Sequence, residues 1–333
     1  MHFPVILDEF LYLTIAVHVL SCFLADMEQL AELRELIGRH IAPGDMTTSL
    51  TPVPMLRITR SHITTEPIAH VFEPVLAVVA QGEKRIVLGD RIFSYGIGQY
   101  LIVSVDLPVR SHIVSATKEK PFFAIGLTLK PAAIASVLLE VATAEPAAVG
   151  LAGIGVSDAP ADLLDPILRL VRLLDSPRDI PVLLPGIERE ILWRLLNGEQ
   201  GAIVRQVGFA DSRLSQISHS IRWIRTHFAE ALSVDDLASQ AQMSLSTFHR
   251  HFRAVTTMTP IQYQKQVRLQ EARARLIADA EDVASVGFSV GYDSPSQFSR
   301  EYSRFFGSPP GRDAARLRMI SLPDTAQSSV LSY

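Results

Sequence analysis

The stretch Gly291–Pro310, GYDSPSQFSREYSRFFGSPP, decides how the second half of this 333-residue chain is read. Ser294 followed by Pro295 predicts a helix start. A capping hydroxyl accepts from the first N–H groups, and proline then fills a position that needs no donor. Phe298, Tyr302, Phe305 and Phe306 recur at i, i+4, i+7 and i+8, which predicts one buried stripe. Ser296, Ser299, Arg300 and Ser303 recur at i, i+3, i+4 and i+7 and make a short polar, basic face. Gly307 stops the helix, and Pro309 and Pro310 prevent its continuation. Such a face suits a helix laid into a DNA groove, although an ordinary solvated surface helix carries the same pattern.

The stretch occurs twice. Leu237–Met243 (LASQAQM) matches Val286–Tyr292 (VGFSVGY), and after a one-residue insertion Ser246–Pro260 matches Ser296–Pro310 at a constant offset. Phe248 answers to Phe298, Arg250 to Arg300, Phe252 to Tyr302 and Pro260 to Pro310. Each copy reads as a short helix, a tight turn and a longer helix, the helix-turn-helix arrangement. Ser233 with Asp236 makes a capping box for the first copy, and Ser244 is placed to cap its second helix. Ser246, His249, Arg250 and Arg253 repeat the exposed spacing. Between the copies, PIQYQKQVRLQEARARLIAD predicts a connecting helix of about 19 residues and ~28 Å. One turn of duplex is ~34 Å, so a rigid connector of that length sets both copies into successive major grooves on one DNA face.

Charge supports the division. Residues 1–209 carry 17 Lys+Arg and 23 Asp+Glu, whereas residues 210–320 carry 14 Lys+Arg and 11 Asp+Glu. An acidic front half joined to an Arg-rich back half fits a nucleic-acid module attached to something else. Cys22 is the single cysteine, so an intramolecular disulfide and a cysteine zinc site are excluded. Phe10–Ala25 is an apolar run, short for a membrane span and preceded by Asp8 and Glu9 rather than a basic leader. Two readings of residues 1–26 stand side by side: an apolar segment of the protein, or an upstream extension ahead of a true start at Met27. A membrane anchor is disfavoured by the length of the run.

Met27 opens a clean amphipathic helix over 27–41, with Leu30, Leu33, Leu36 and Ile37 on one side. From Thr51 to Leu129 short β-type runs follow one another (PMLRITRSHI, PVLAVVA, KRIVLGD, RIFSYG, QYLIVSV, FFAIGLTL), with glycine-containing turns between several of them. Strands without intervening helices predict an antiparallel barrel or sandwich. Pro131 begins a helical region that includes PADLLDPILRLVRLLD and PGIEREILWRLLNG. The Leu163, Leu164, Ile167, Leu170 and Leu174 stripe suits dimerisation and a helix-pair core equally.

Residues 211–320 resemble the DNA-binding domain of the arabinose-operon regulator (AraC/XylS) family, whose signature stands here as GYDSPSQFSREYSRFFGSPP. The first copy departs from the pattern at Gln242-Met243 and at Thr257, where glycines are common. The front half, through PMLRITRSH, FEPVLAVVAQGEKRIVLGDRIFSYGIGQYLIVSVDLPV and REILWRLLNGEQGAIVRQ, resembles one N-terminal subtype of that family. The resemblance implies an α+β chain: a cupin-like antiparallel β-barrel with helices, then an all-α domain with two helix-turn-helix motifs. It implies the domains 1–26 (apolar extension), 27–185 (effector-sensing, with dimerisation helices), 186–210 (linker helix and connection), 211–320 (DNA-binding) and 321–333 (flexible tail). The implied function is a sequence-specific transcriptional regulator, most often an activator that touches RNA polymerase. It would act in the cytoplasm as a homodimer and respond to a small-molecule effector.

By position in the family motif, Ser246, Thr247, His249 and Arg250, then Ser296, Gln297, Ser299 and Arg300, are the groove-facing set, in recognition helices near 245–256 and 295–306. Arg250 and Arg300 suit base-edge or phosphate contact, and Arg253 and Arg304 suit phosphate. Phe248, Phe252, Phe298, Tyr302 and Phe305 are assigned to the core. His70, Phe72, Tyr95 and Tyr100 are the effector-site candidates in the barrel, whose mouth is a natural cavity. His62, His70 and His112 stand isolated, without the close H-x-H pair of a cupin metal site. A cupin-type metal enzyme carrying an accessory DNA-binding module is the rival reading. No nucleophile with a base, Walker loop, carboxylate pair or dinucleotide turn is legible, so neither an enzyme nor a cofactor is expected.

Overall fold

The alternating runs between Leu56 and Thr128 form strands because their period-two apolar sets meet a common interior. The computed structural model describes residues 27–41, 44, 46–140, 152–209, 212–278 and 282–321. The extension 1–26, with Cys22, and the tail past 321 lie outside the described residues. The chain forms two compact units whose main division falls between Gln216 and Ile217.

In the front unit, helix α1 (27–40) buries Leu30, Leu33, Leu36 and Ile37, the side expected from its periodicity. Strands β1 (Met46–Leu50), β2 (Leu56–Ser61), β3 (Ile68–Phe72), β4 (Val75–Gln81), β5 (Glu83–Leu88), β6 (Arg91–Gly96), β7 (Gln99–Val103), β8 (Leu107–Ser115) and β9 (Phe122–Thr128) follow. Helix α2 (Pro131–Glu140), strand β10 (Ile154–Asp158) and helices α3 (Ala161–Arg172), α4 (Ile180–Asn197) and α5 (Gly201–Gly208) complete the unit. The strands build a six-stranded sheet in the order β1-β2-β9-β4-β7-β10 and a four-stranded sheet in the order β3-β8-β5-β6. The barrel-or-sandwich expectation therefore holds as two sheets. Residues 76–80 of β4 are buried at every position rather than at alternate ones, as befits a central strand covered on both sides. Helix α1 lies along the six-stranded sheet, with Gly38 approaching the Phe123 ring and Gly98 approaching Leu30.

Strand β10 is a departure from the purely helical region expected after Pro131. It returns to pair with β7, Ile154 opposite Val103 and Asp158 opposite Gln99. The leucine stripe of α3 resolves toward a helix-pair core: Leu163, Leu164, Ile167, Leu170 and Leu174 are all buried within the single chain, where α3 packs on α4. Helix α4 runs unbroken across residues 185 and 186, where a boundary was expected.

The back unit is helical: α6 (Arg213–Thr226), α7 (Val234–Gln240), α8 (Leu245–Thr256), α9 (Pro260–Ala278), α10 (Val283–Ser289), α11 (Pro295–Phe306) and α12 (Pro310–Ser321). Caps sit where the sequence places them. Ser233 Oγ accepts from the Asp236 N–H, Ser244 Oγ from the Thr247 N–H and Ser294 Oγ from the Gln297 N–H. The connector α9 has 19 residues, as its sequence predicts.

The repeat is reproduced in the turns. Between α7 and α8 the Met243 N–H donates to Ala238 O at 2.9 Å; between α10 and α11 the Tyr292 N–H donates to Gly287 O at 3.0 Å. The turn residues Gln242 and Gly291 have φ of 54° and 91°, and the residues ending the two longer helices, Thr257 and Gly307, have φ of 62° and 77°. Gln242 and Thr257 are thus the two departures from glycine in the first copy, and both hold a left-handed backbone that disfavours a Cβ. Gln242→Gly is expected to stabilise the protein by about 0.5–1 kcal/mol net of the extra unfolded-chain entropy, visible as a higher thermal midpoint. An unchanged or lowered midpoint would show that no strain is held there.

Candidate nucleic-acid interface

Helices α8 and α11 each bury an aromatic stripe, and that burial fixes which face is left outward. Phe248 and Phe252 lie 5.6 Å apart between ring centroids, and Phe252 meets Tyr263 of α9 edge-on at 5.7 Å. In the second copy Tyr292, Phe298 and Tyr302 meet in sequence at 5.3 Å (tilted) and 5.6 Å (edge-on), over a core containing Leu269, Ala272, Leu276, Val286 and Val290. Four of the five assigned core aromatics are fully buried, and Phe305 packs against the cluster half-buried.

With those stripes inward, Ser246, His249, Arg250 and Arg253 are exposed on α8, and Ser296, Gln297, Arg300 and Arg304 on α11, while Thr247 and Ser299 are half-buried. The ten side chains therefore lie as two patches, one on each long helix of the repeat. Among the described residues no carboxylate pairs with Arg250, Arg253, Arg300 or Arg304; Arg300 Nε donates only to Ser296 O at 3.3 Å.

Four basic groups along α9 are differently employed. Arg273 is paired with Asp313, Arg275 with Glu271 and Lys265 with Glu301. Arg268 donates to four backbone carbonyls, those of Phe228, Ala229, Glu230 and Gly291. Arg268, Arg273 and Arg275 thus hold the unit together, whereas Arg250, Arg253, Arg300 and Arg304 face outward without a carboxylate among the described residues. The uncompensated set suits phosphate and base-edge contact.

Two cavities of the front unit are lined entirely by described residues. One, of about 550 Å³, is lined by residues that include Arg34, Gln81, Glu83, Tyr95 and Lys120. The other, of about 300 Å³, is lined by Tyr100, Asp158, Leu163, Arg194 and Glu199 among others. Tyr95 and Tyr100 thus line different cavities, and His70 and Phe72, both on β3, line neither. Burial raises the pKa of both phenols above the usual tyrosine value.

Lys84 escaped the sequence reading. It sits on β5 opposite Tyr95, with its ammonium 5.3 Å from the Phe72 ring centroid, and burial lowers its pKa to about 8. The signal was present: in KRIVLG it is in phase with Ile86 and Leu88, both inward. Among the described residues no group of three or more His, Cys, Asp or Glu is placed to hold a metal ion. Nor is any described helix long and apolar enough to cross a membrane.

Residues 52–203 match the family profile described as the AraC-type transcriptional regulator N-terminus, and residues 237–316 match a helix-turn-helix domain profile. The HTH-type transcriptional activator RhaS of Escherichia fergusonii is 36% identical over 106 residues, covering 30% of this chain and 38% of that one. RhaS of Klebsiella pneumoniae is 32% identical over 133 residues, covering 38% of this chain and 47% of that one. The chain therefore spans less than half the length of either relative. A solved apo form of a ToxT variant from Vibrio cholerae superposes with a TM-score of 0.51 at 9% identity, over 78% of this chain and 97% of that one. That likeness bears on the fold alone.

Proposed function

The chain belongs to the AraC-type transcriptional regulators, and from that premise we propose that it reads two successive major-groove segments of a promoter or operator through α8 and α11. The observation that carries the proposal is the duplicated outward face, Ser246, Thr247, His249, Arg250 and Arg253 against Ser296, Gln297, Ser299, Arg300 and Arg304. The two faces are borne on one unit whose connector, α9, has 19 residues. At the α-helical rise it is ~28 Å long, close to the groove repeat of ~34 Å.

A small polar effector in the front unit tunes this reading, and the larger cavity beside Tyr95, with Arg34, Gln81 and Lys120 on its wall, has the volume for one. The effector acts only so far as it binds the DNA-competent and incompetent states differently. The relatives' description as transcriptional activators supports activation; RNA polymerase as a partner, a homodimer as the working form and the cytoplasm as the place of action are parts of the same proposal. On this reading the chain performs no catalysis.

The test is selection of bound sequences from a random duplex pool by the full-length protein and its Arg250→Ala and Arg300→Ala variants. The wild type should enrich two blocks about one helical turn apart. Each variant should relax a different block, losing about 1–3 kcal/mol of discrimination at one base pair. Failure to enrich any sequence, with binding that merely fades as salt rises, would defeat the proposal.

A further inference from the structure

The two recognition helices differ in one respect that the repeat does not predict. In α11 the side-chain amide of Gln297 donates from Nε2 to Glu301 Oε1 at 3.2 Å. Glu301 is itself held from two other elements. Lys265 Nζ of α9 donates to Oε1 at 2.9 Å, and Tyr292 OH of the turn donates to Oε2 at 3.0 Å. Burial alone would raise the pKa of this carboxyl, but the hydrogen bonds from Lys265, Gln297 and Tyr292 outweigh it and hold the group below the usual carboxylate range. An ionised carboxylate only accepts, so the amide nitrogen must face it. At the equivalent positions of α8 stand Thr247, for Gln297, and His251, for Glu301.

We infer that Glu301 is a specificity-determining residue that acts through Gln297, orienting its amide so that the second helix selects an adenine. The inference rests on the groove-facing assignment proposed above. With one N–H spent on Glu301, Gln297 presents its carbonyl oxygen and its second N–H outward. That pair complements the N6 amino donor and N7 acceptor of adenine. Guanine, whose O6 and N7 both accept, sets an acceptor against the Gln297 carbonyl. A glutamine without Glu301 turns freely about its last bond and loses this preference. Glu301 is thus a positioning residue that need not touch DNA.

The measurement is the relative affinity of the full-length protein for duplexes that differ only at the base pair relaxed by Gln297→Ala. It is made for the wild type, Glu301→Ala and Glu301→Gln, alongside thermal midpoints. The expected result is an adenine-over-guanine ratio that falls about tenfold in both Glu301 variants, with the other positions of both blocks unchanged. Removal of a negative charge near the phosphates also strengthens sequence-independent binding, and that part of the change is salt-dependent.

A ratio unchanged from wild type, while Gln297→Ala collapses it, would overturn the inference. So would a wild-type preference for another base at that pair. Relaxation of the whole second block together with a lowered midpoint would make Glu301 a structural prop instead. If the wild type selects no sequence at all, the groove assignment fails first, and that result is distinct from any change among the variants.

Discussion

Asp313→Ala is expected to destabilise the back unit by about 3–5 kcal/mol, the range seen when one partner of a buried ion pair is removed. The Asp313 side chain has no solvent exposure, and that of Arg273 keeps only 11%. Its carboxylate accepts from Arg273 Nε at 2.8 Å and Nη2 at 3.2 Å, from Tyr302 OH at 3.0 Å and from Arg316 Nη2 at 3.1 Å. One side chain thus joins the connector α9, the recognition helix α11 and the closing helix α12. Arg273 also lies 4.4 Å from the Phe306 ring centroid, so its guanidinium stays in place when the carboxylate is deleted and is left buried without a counter-charge. Tyr302→Phe, which removes one of the four donors, should cost only about 1 kcal/mol.

The pH dependence has a definite sign. Burial would raise the Asp313 pKa, but Arg273, Arg316 and Tyr302 outweigh it and the folded-state pKa lies below the ordinary one. Stability from this carboxylate is therefore fully present above the unfolded-state pKa of roughly 4 and is lost as pH falls through the lower folded value. Urea unfolding of the full-length protein in a Trp193→Phe background leaves Trp223 of α6 as the reporter of this unit. Midpoints equal to wild type for Asp313→Ala would mean that the pair contributes nothing net.

The features legible in the sequence are those set by local chemistry and period. Ser233, Ser244, Ser294 and Pro295 announce helix starts because a cap needs only neighbours three residues away. The length of α9 follows from an uninterrupted helical pattern, and the outward faces of α8 and α11 follow from where the aromatics fall. The Gln242 and Thr257 departures were legible too, because the second copy carries glycine at both places.

What escaped depends on pairings across the chain. Nothing near Asp313 marks it as the partner of Arg273, forty residues earlier. Strand β10 has five residues, one of them a glycine, and its edge position is decided by β7 rather than by its own propensity. Lys84 was passed over because a lysine in a strand is ordinarily taken as outward, although its phase with Ile86 says otherwise. In the effector region, residue type alone does not distribute Tyr95 and Tyr100 between two cavities; their places in the two sheets do.

Arg268→Ala should loosen the geometry between the two helix-turn-helix motifs as well as cost about 3 kcal/mol, since hydrogen bonds to a charged donor contribute roughly 1.5–3 kcal/mol each and are not additive here. From the middle of α9, Nε donates to Phe228 O at 2.6 Å and Nη2 to Ala229 O and Glu230 O at 3.2 and 2.9 Å, all in the chain leaving α6. Nη1 donates to Gly291 O at 2.6 Å, in the turn of the second motif. Gln264, one turn earlier, donates to Phe228 O and Glu230 O as well. The two segments already touch: a Cβ at Gly291 would come within 2.3 Å of Ala229 O, and the φ of 91° there also favours glycine. Arg268 is therefore the clamp that holds the exit of α6 against the second turn, and with it the separation of the two reading faces. Burial lowers its pKa, but an arginine starts so far above neutrality that it remains charged. If the clamp sets the spacing, the wild type should bind best to operators whose two blocks stand at one separation and lose affinity when one base pair is inserted between them. Arg268→Ala should accept both spacings more evenly while keeping the base preferences within each block. Equal sharpness of spacing in the two proteins would mean that α9 alone fixes the distance and that Arg268 serves stability only.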